Sequence, residues 1–98
     1  LSGRAVHAIA GIAHPERFFS DLRRIGMDVT EHAFPDHHRF TAADIALPGA
    51  EFIIMTEKDA VKCAGFADAR HWMLPVDAVI EPAFGELVLA RVRSALPA

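Results

Sequence analysis

The 98-residue sequence contains a single cysteine, Cys63, so no disulfide closes within one chain, and a reducing compartment fits it best. Cys63 lies in the apolar, helical context "AVKCAGF" and reads as a small buried hydrophobe. No apolar run reaches the ~18 residues of a membrane-spanning helix, and no signal peptide is visible. An excess of positive charge is missing too. Ten basic residues against thirteen acidic ones leave a formal net charge of −3, which argues against a nucleic-acid partner. Neither GxGxxG nor GxxxxGKS/T occurs, so the standard cradles for a dinucleotide and for a triphosphate are absent.

What is present is enough for one folded domain over residues 1–98. The apolar fraction is 52% and the charged fraction 23%, a balance that forms a core and not a disordered tail. The sequence begins at Leu1 and enters a strand within a few residues, so it is expected to be part of something larger.

Strand and helix patterns alternate four times. "AVHAIAGI" (5–12) is a nearly continuous apolar run, as in a strand buried on both faces. In "HPERFFSDLRRIG", Pro15 suits a first helical turn, Phe18, Phe19, Leu22 and Ile25 make an apolar face, and Gly26 stops the helix. "MDVTEHAF" is more polar and suits an edge strand. Thr41 to Asp44 has capping-box spacing and starts a short helix that Pro48 and Gly49 end. "EFIIMT" is a second buried strand. Thr56 to Asp59 repeats the capping-box spacing, with Asp59 reaching back to the Thr56 amide. "HWMLPVDAVI" is extended, and a last helix is expected over 83–96, with Phe84, Leu87, Val88, Val92, Ala95 and Leu96 on one side. The fold class is α/β: a three-layer αβα unit, Rossmann-like, with a mostly parallel sheet of about four strands in the order 2-1-3-4.

Three loops leave the carboxyl ends of three such strands, where functional groups collect in parallel sheets. "GIAHPERF" carries His14. "FPDHHRF" carries Asp36, His37, His38 and Arg39. "MTEKDAVK" carries Thr56, Glu57, Lys58, Asp59 and Lys62. A cleft so lined suits an anionic or sugar-like ligand, against the plain alternative of solvated charged loops. Three adjacent residues, Asp36, His37 and His38, cannot all turn to one metal ion without strain, so no metal is expected there. General-base chemistry is easier to build: an imidazole accepts a proton near neutral pH, and either Asp36 or a carboxylate from outside this chain can orient it. Phe34 and Phe40 then anchor the loop. Thr41, Thr56 and Asp59 read as structural caps. Lys58 and Lys62 share one helical face and either meet phosphate or face water.

The strings "AIAGIAHPERFFSDLRRIG", "HAFPDHHRFTAADI" and "IMTEKDAVKCAGFA", followed by "WMLPVDAVI", resemble the C-terminal part of the tetraacyldisaccharide 4'-kinases, the lipid A 4'-kinases of Gram-negative bacteria. The resemblance implies a two-domain enzyme. Its N-terminal P-loop domain holds ATP and Mg2+, and its smaller C-terminal domain closes the cleft. The reaction it implies moves the γ-phosphoryl of ATP onto the 4'-hydroxyl of a tetraacyldisaccharide 1-phosphate, at the cytoplasmic face of the inner membrane. The family pairs an aspartate of the first domain with a histidine of the second, and His37 best matches that histidine. His38, Arg39, Glu57, Lys58, Lys62 and His14 would line the cleft. His14 stands where the family usually has asparagine, which weakens any role carried over to it. The isolated segment is expected to be inactive. Two other classes remain: a free-standing anion or phospho-sugar binding module, and a metal-dependent phosphoesterase fragment built on Asp36 and His37.

Overall fold

The computed structural model describes residues 4–74 and the backbone of residues 90–91. Strand β1 (Ala5–Ala10) runs into helix α1 (Glu16–Arg24), then β2 (Asp28–Ala33), α2 (Ala42–Ala46), β3 (Ile53–Thr56), α3 (Glu57–Cys63), β4 (His71–Leu74) and β5 (Ala90–Arg91). The sheet order is β2-β1-β3-β4-β5. The first four strands are parallel, in the order the sequence predicts, and β5 closes the far edge antiparallel to β4.

The alternation along β1 divides the core. Val6, Ala8 and Ala10 face α1 and join Phe18, Phe19, Leu22, Ile25, Met27 and Val29. Ile9 faces the other way, into a second cluster with Ile53, Met55, Met73, Ile45 of α2 and Ala60 and Cys63 of α3. Both faces of the sheet are therefore covered, which is why β1 and β3 are nearly all apolar. Strand β2 buries only Val29 and takes the edge, where its polar residues cost nothing.

The local signals act as their chemistry dictates. Gly26, at φ 96°, ends α1 in a conformation that other residues resist. Thr41 and Asp44 form a complete capping box on α2. At α3 the Thr56 hydroxyl accepts the Asp59 amide at 3.2 Å, but the reciprocal half differs from expectation. The Asp59 carboxylate takes the Thr56 hydroxyl and the Gly11 amide instead of the Thr56 amide. Thr56 is the last residue of β3, paired with Leu74, so its backbone belongs to the sheet.

One expected element changes type where it is described. Ala90 and Arg91 fall inside the helix expected over 83–96, yet they are extended and pair with Met73 and Trp72. A short apolar run fits either period, and the open edge of β4 decides for strand. The rest of that helix, and the 75–80 part of "HWMLPVDAVI", lie outside the described residues.

Candidate functional site

All three predicted loops emerge at the carboxyl end of the parallel strands, but the structure splits them into two neighbouring features. One is the loop after β2. Phe34 continues the ladder by donating its amide to the Ala10 carbonyl, and the His38 amide then reaches back 3.0 Å to the Pro35 carbonyl, closing a tight turn. Phe40 is buried beneath this turn and Phe34 packs on the same cluster. The two phenylalanines act as anchors, as the sequence indicates.

The two histidines, adjacent in sequence, part company. His37 is the third residue of the turn and has φ 63°, a left-handed conformation that costs a non-glycine residue ~1–2 kcal/mol. Its side chain is 81% exposed and its Nε2 lies 3.5 Å from Asp36 Oδ2. His38 turns inward. Its ring stacks on Phe34 at 4.6 Å and meets the edge of Phe40 at 4.8 Å. Its Nε2 is 3.0 Å from Asp44 Oδ2, the same oxygen that accepts the Thr41 amide. That contact, with the Thr41 amide next in weight, holds the Asp44 carboxyl below its ordinary range. His38 is thus a wedge between loop and helix cap, and His37 is turned out to solvent.

Asp36 links this loop to α3. Its Oδ1 is 3.3 Å from Lys58 Nζ and accepts the His37 amide at 3.1 Å. Partial desolvation pushes the Asp36 carboxyl up, but the Lys58 hydrogen bond and the His37 charge outweigh it, and its pKa falls below the usual carboxylate value. Lys62 Nζ lies 3.5 Å from the His38 carbonyl, so this lysine braces the loop. Arg39 is exposed.

The second feature is a crevice of about 350 Å³ between the β1–α1 loop, α1 and the start of α3, with His14, Arg17, Thr56, Glu57 and Lys58 among its lining. It opens at the carboxyl ends of β1 and β3. In the order β2-β1-β3-β4 this is the topological switch point, where open α/β sheets place ligands.

Sequence reasoning missed the position of Asp59. It is fully buried, its Oδ2 takes the Gly11 amide at 2.8 Å and the Thr56 hydroxyl at 2.7 Å, and its Oδ1 has no hydrogen-bond partner among the described residues. It ties the end of β1 to the start of α3 beneath both features. The signal was a cap-position aspartate facing a glycine that ends a buried strand. Arg17 lines the crevice as well and was not among the residues expected there. Cys63 is buried as expected, and burial, with the Asp59 charge next, pushes its thiol up to about 11. Among the described residues, no helix is long and apolar enough to cross a membrane, and no three His, Cys, Asp or Glu side chains converge as metal ligands.

Comparison with known proteins agrees with the three strings. The sequence profile of the family described as Tetraacyldisaccharide-1-P 4'-kinase matches residues 1–93. The Tetraacyldisaccharide 4'-kinase of Azoarcus sp. (strain BH72) is 52% identical over 95 residues, 97% of this chain and 28% of that protein. The protein of the same name from Alkalilimnicola ehrlichii is 53% identical over 95 residues, 94% of this chain and 29% of that protein. That of Methylobacillus flagellatus is 47% identical over 92 residues. No solved structure matches the chain. The chain spans a little over a quarter of the length of these relatives. On the profile match and on these identities, it belongs to the tetraacyldisaccharide 4'-kinase family.

Proposed function

We propose that this chain forms the C-terminal side of the active-site cleft of an ATP-dependent lipid sugar kinase. The intact protein transfers the γ-phosphoryl of ATP to the 4'-hydroxyl of tetraacyldisaccharide 1-phosphate, a step of lipid A biosynthesis. A preceding P-loop domain supplies the grip on nucleotide and Mg2+, because the residues described here offer neither a phosphate loop nor a converging carboxylate set. This chain packs against that domain at the cytoplasmic face of the inner membrane.

The observation that carries the reading is the presentation of His37. A turn anchored by Phe34 and Phe40 holds the imidazole outward at a strained φ of 63°, with a carboxylate 3.5 Å behind one nitrogen. Strain of this kind persists where the surrounding structure enforces it, and it collects at functional positions. In the reaction His37 takes the proton of the sugar hydroxyl on Nδ1, the nitrogen that does not face Asp36. Asp36 then stabilises the imidazolium through Nε2. Rigid anchoring matters because a displacement of ~1 Å can cost ~100-fold in rate.

Steady-state kinetics of the intact protein test this. His37→Ala should lower kcat by ~10²–10⁴-fold with the circular dichroism spectrum unchanged. His38→Ala should act mainly on stability, since it removes the wedge between Phe34, Phe40 and Asp44. A larger kcat loss in His38→Ala than in His37→Ala would move the role one residue on. A loss below a few-fold in both would leave the loop a structural one.

A further inference from the structure

Helix α3 meets the His37 loop on both sides of the histidine. Lys58 and Lys62 stand four residues apart in α3 and so share one helical face. Lys58 Nζ lies 3.3 Å from Asp36 Oδ1, and Lys62 Nζ lies 3.5 Å from the His38 carbonyl. The residue between these two grips is His37. The helix that carries the lysines is itself fixed to the sheet. Ala60 and Cys63 are fully buried, and the Asp59 carboxylate takes the Gly11 amide at 2.8 Å and the Thr56 hydroxyl at 2.7 Å. Lys58 therefore starts from a backbone position that the end of β1 sets.

The two grips differ in kind. Lys62 meets a backbone carbonyl at the outer limit of a hydrogen bond, so it steadies the turn from one side. Lys58 meets a carboxylate whose other oxygen faces the histidine. Asp36 Oδ1 accepts both Lys58 Nζ and the His37 amide, which leaves Oδ2, 3.5 Å from His37 Nε2, as the oxygen turned to the ring. The χ2 torsion of an aspartate is soft, so one donor on Oδ1 lets the carboxylate rotate and two donors hold it. The pair itself, with side chains 49% and 33% exposed, contributes little to stability. Its effect lies in orientation, on which the rate of a positioned base depends steeply.

We propose that Lys58 is a positioning residue for the reaction at His37: it holds Asp36 so that Oδ2 faces the imidazole, while Lys62 braces the turn on the other side. The inference rests on the kinase reading for the reaction, and on the contacts of α3 for the route. The contact also has a signature of its own. Desolvation raises the Asp36 carboxyl, and the Lys58 hydrogen bond is the first of the contacts that bring it below its usual value.

Steady-state kinetics of the intact protein, with ATP and the tetraacyldisaccharide 1-phosphate, test the route by a double-mutant cycle. Lys58→Met should lower kcat about 10-fold, a part of the ~10²–10⁴-fold that a general base supplies, with KM and the melting temperature unchanged. In an Asp36→Asn background the same substitution should change kcat by less than about 2-fold, because its route is gone. Lys62→Met should lower kcat by the same factor in both backgrounds. NMR of the carbon-13-labelled Asp36 carboxyl reads the contact without turnover. Lys58→Met should move its titration midpoint up, and Lys62→Met should leave it in place. Equal losses from Lys58→Met with and without the Asp36 carboxylate would overturn the proposal, and so would an Asp36 midpoint that ignores Lys58→Met. A raised KM with kcat kept would make Lys58 a contact to substrate and end its positioning role. An unchanged kcat in Lys58→Met, in a protein whose kcat falls in His37→Ala, would end it as well. A kcat that ignores His37→Ala fails the kinase reading instead, and the Asp36 midpoint then decides on the contact by itself.

Discussion

At the amino end of the sheet, Arg70 uses its whole guanidinium. It donates to the carbonyls of Ala46, Leu47 and Ala50 and clasps Asp68 through Nε and Nη2. Beside it His71 is 1% exposed. Its Nε2 donates to the Ile45 carbonyl at 2.7 Å and its Nδ1 accepts the Asp68 amide at 2.9 Å. At the carboxyl end, Lys58 holds Asp36 by one 3.3 Å contact, and His37 projects into solvent. Both ends carry a basic residue, a histidine and an aspartate. At one end the arginine and the histidine are tied chiefly to backbone groups that the fold must satisfy, including the last carbonyls of α2. At the other the partners are exposed side chains that can be exchanged for a ligand. The difference separates charge that builds the domain from charge that serves it.

That contrast breaks first if the amino end proves dispensable. His71→Ala removes a buried ring and strands the Ile45 carbonyl and the Asp68 amide, so it should cost about 3 kcal/mol. Urea unfolding of the intact protein measures this. A loss under about 1 kcal/mol together with a fall in kcat would make the amino end functional and erase the distinction.

Gly11→Ala probes the point where structure underlies the site. A Cβ at Gly11 would lie 3.1 Å from Phe40 Cζ and 3.4 Å from Asp59 Oδ1. Phe40 has to shift, and it packs against His38. Overpacking of this sort costs ~1–3 kcal/mol. Both the melting temperature and kcat should fall. An unchanged kcat with a lowered melting temperature would show that Phe40 does not position the turn that carries His37.

The sequence made the scaffold legible because its signals are local. Periodicity located β1, α1 and β3, the capping box at Thr41 started α2, and the polar composition of β2 assigned it to the edge. The loops at the carboxyl end followed from the parallel order alone. What a string cannot carry is direction in space. "DHH" does not say that a left-handed residue turns His37 out while Phe34 and Phe40 draw His38 in. "TEKD" looks like a self-contained cap, and only the approach of Gly11 from 48 residues away gives Asp59 its second partner. The strand at Ala90 and Arg91 was lost for a related reason: its pairing depends on the open edge of β4, not on its own period. The clasp of Arg70 on α2 is likewise long-range, 20 to 24 residues apart.

Thr56→Ala tests the carboxyl end with a smaller expected effect. The hydroxyl accepts the Asp59 amide and donates to the Asp59 carboxylate. Losing an N-cap of this type costs ~1 kcal/mol. The melting temperature should fall with kcat reduced by no more than a few-fold. Loss of activity with an unchanged melting temperature would make Thr56, which also lines the crevice, a ligand-binding residue and not a cap.

The smallest effect belongs to Asp68, and its sign is fixed by pH. The Arg70 side chain, bonded to both carboxylate oxygens, is the main reason the Asp68 carboxyl is held down at about 2, and the Arg70 amide and the His71 ring add to it. A carboxyl depressed in the folded state stabilises the fold only while ionised. The contribution is complete above the unfolded value, near 3.8, and disappears as pH falls through about 2. Asp68 is 49% exposed, so solvent screens the pair and the gain stays below about 1 kcal/mol. Asp68→Asn should therefore be slightly less stable than the parent at pH 6, and the gap should narrow from pH 4 downward and close near pH 2. Urea midpoints of the two proteins across that range measure it. A gap that stays constant with pH would mean that Asp68 acts through its amide and shape, and that Arg70 finds its support in the α2 carbonyls alone.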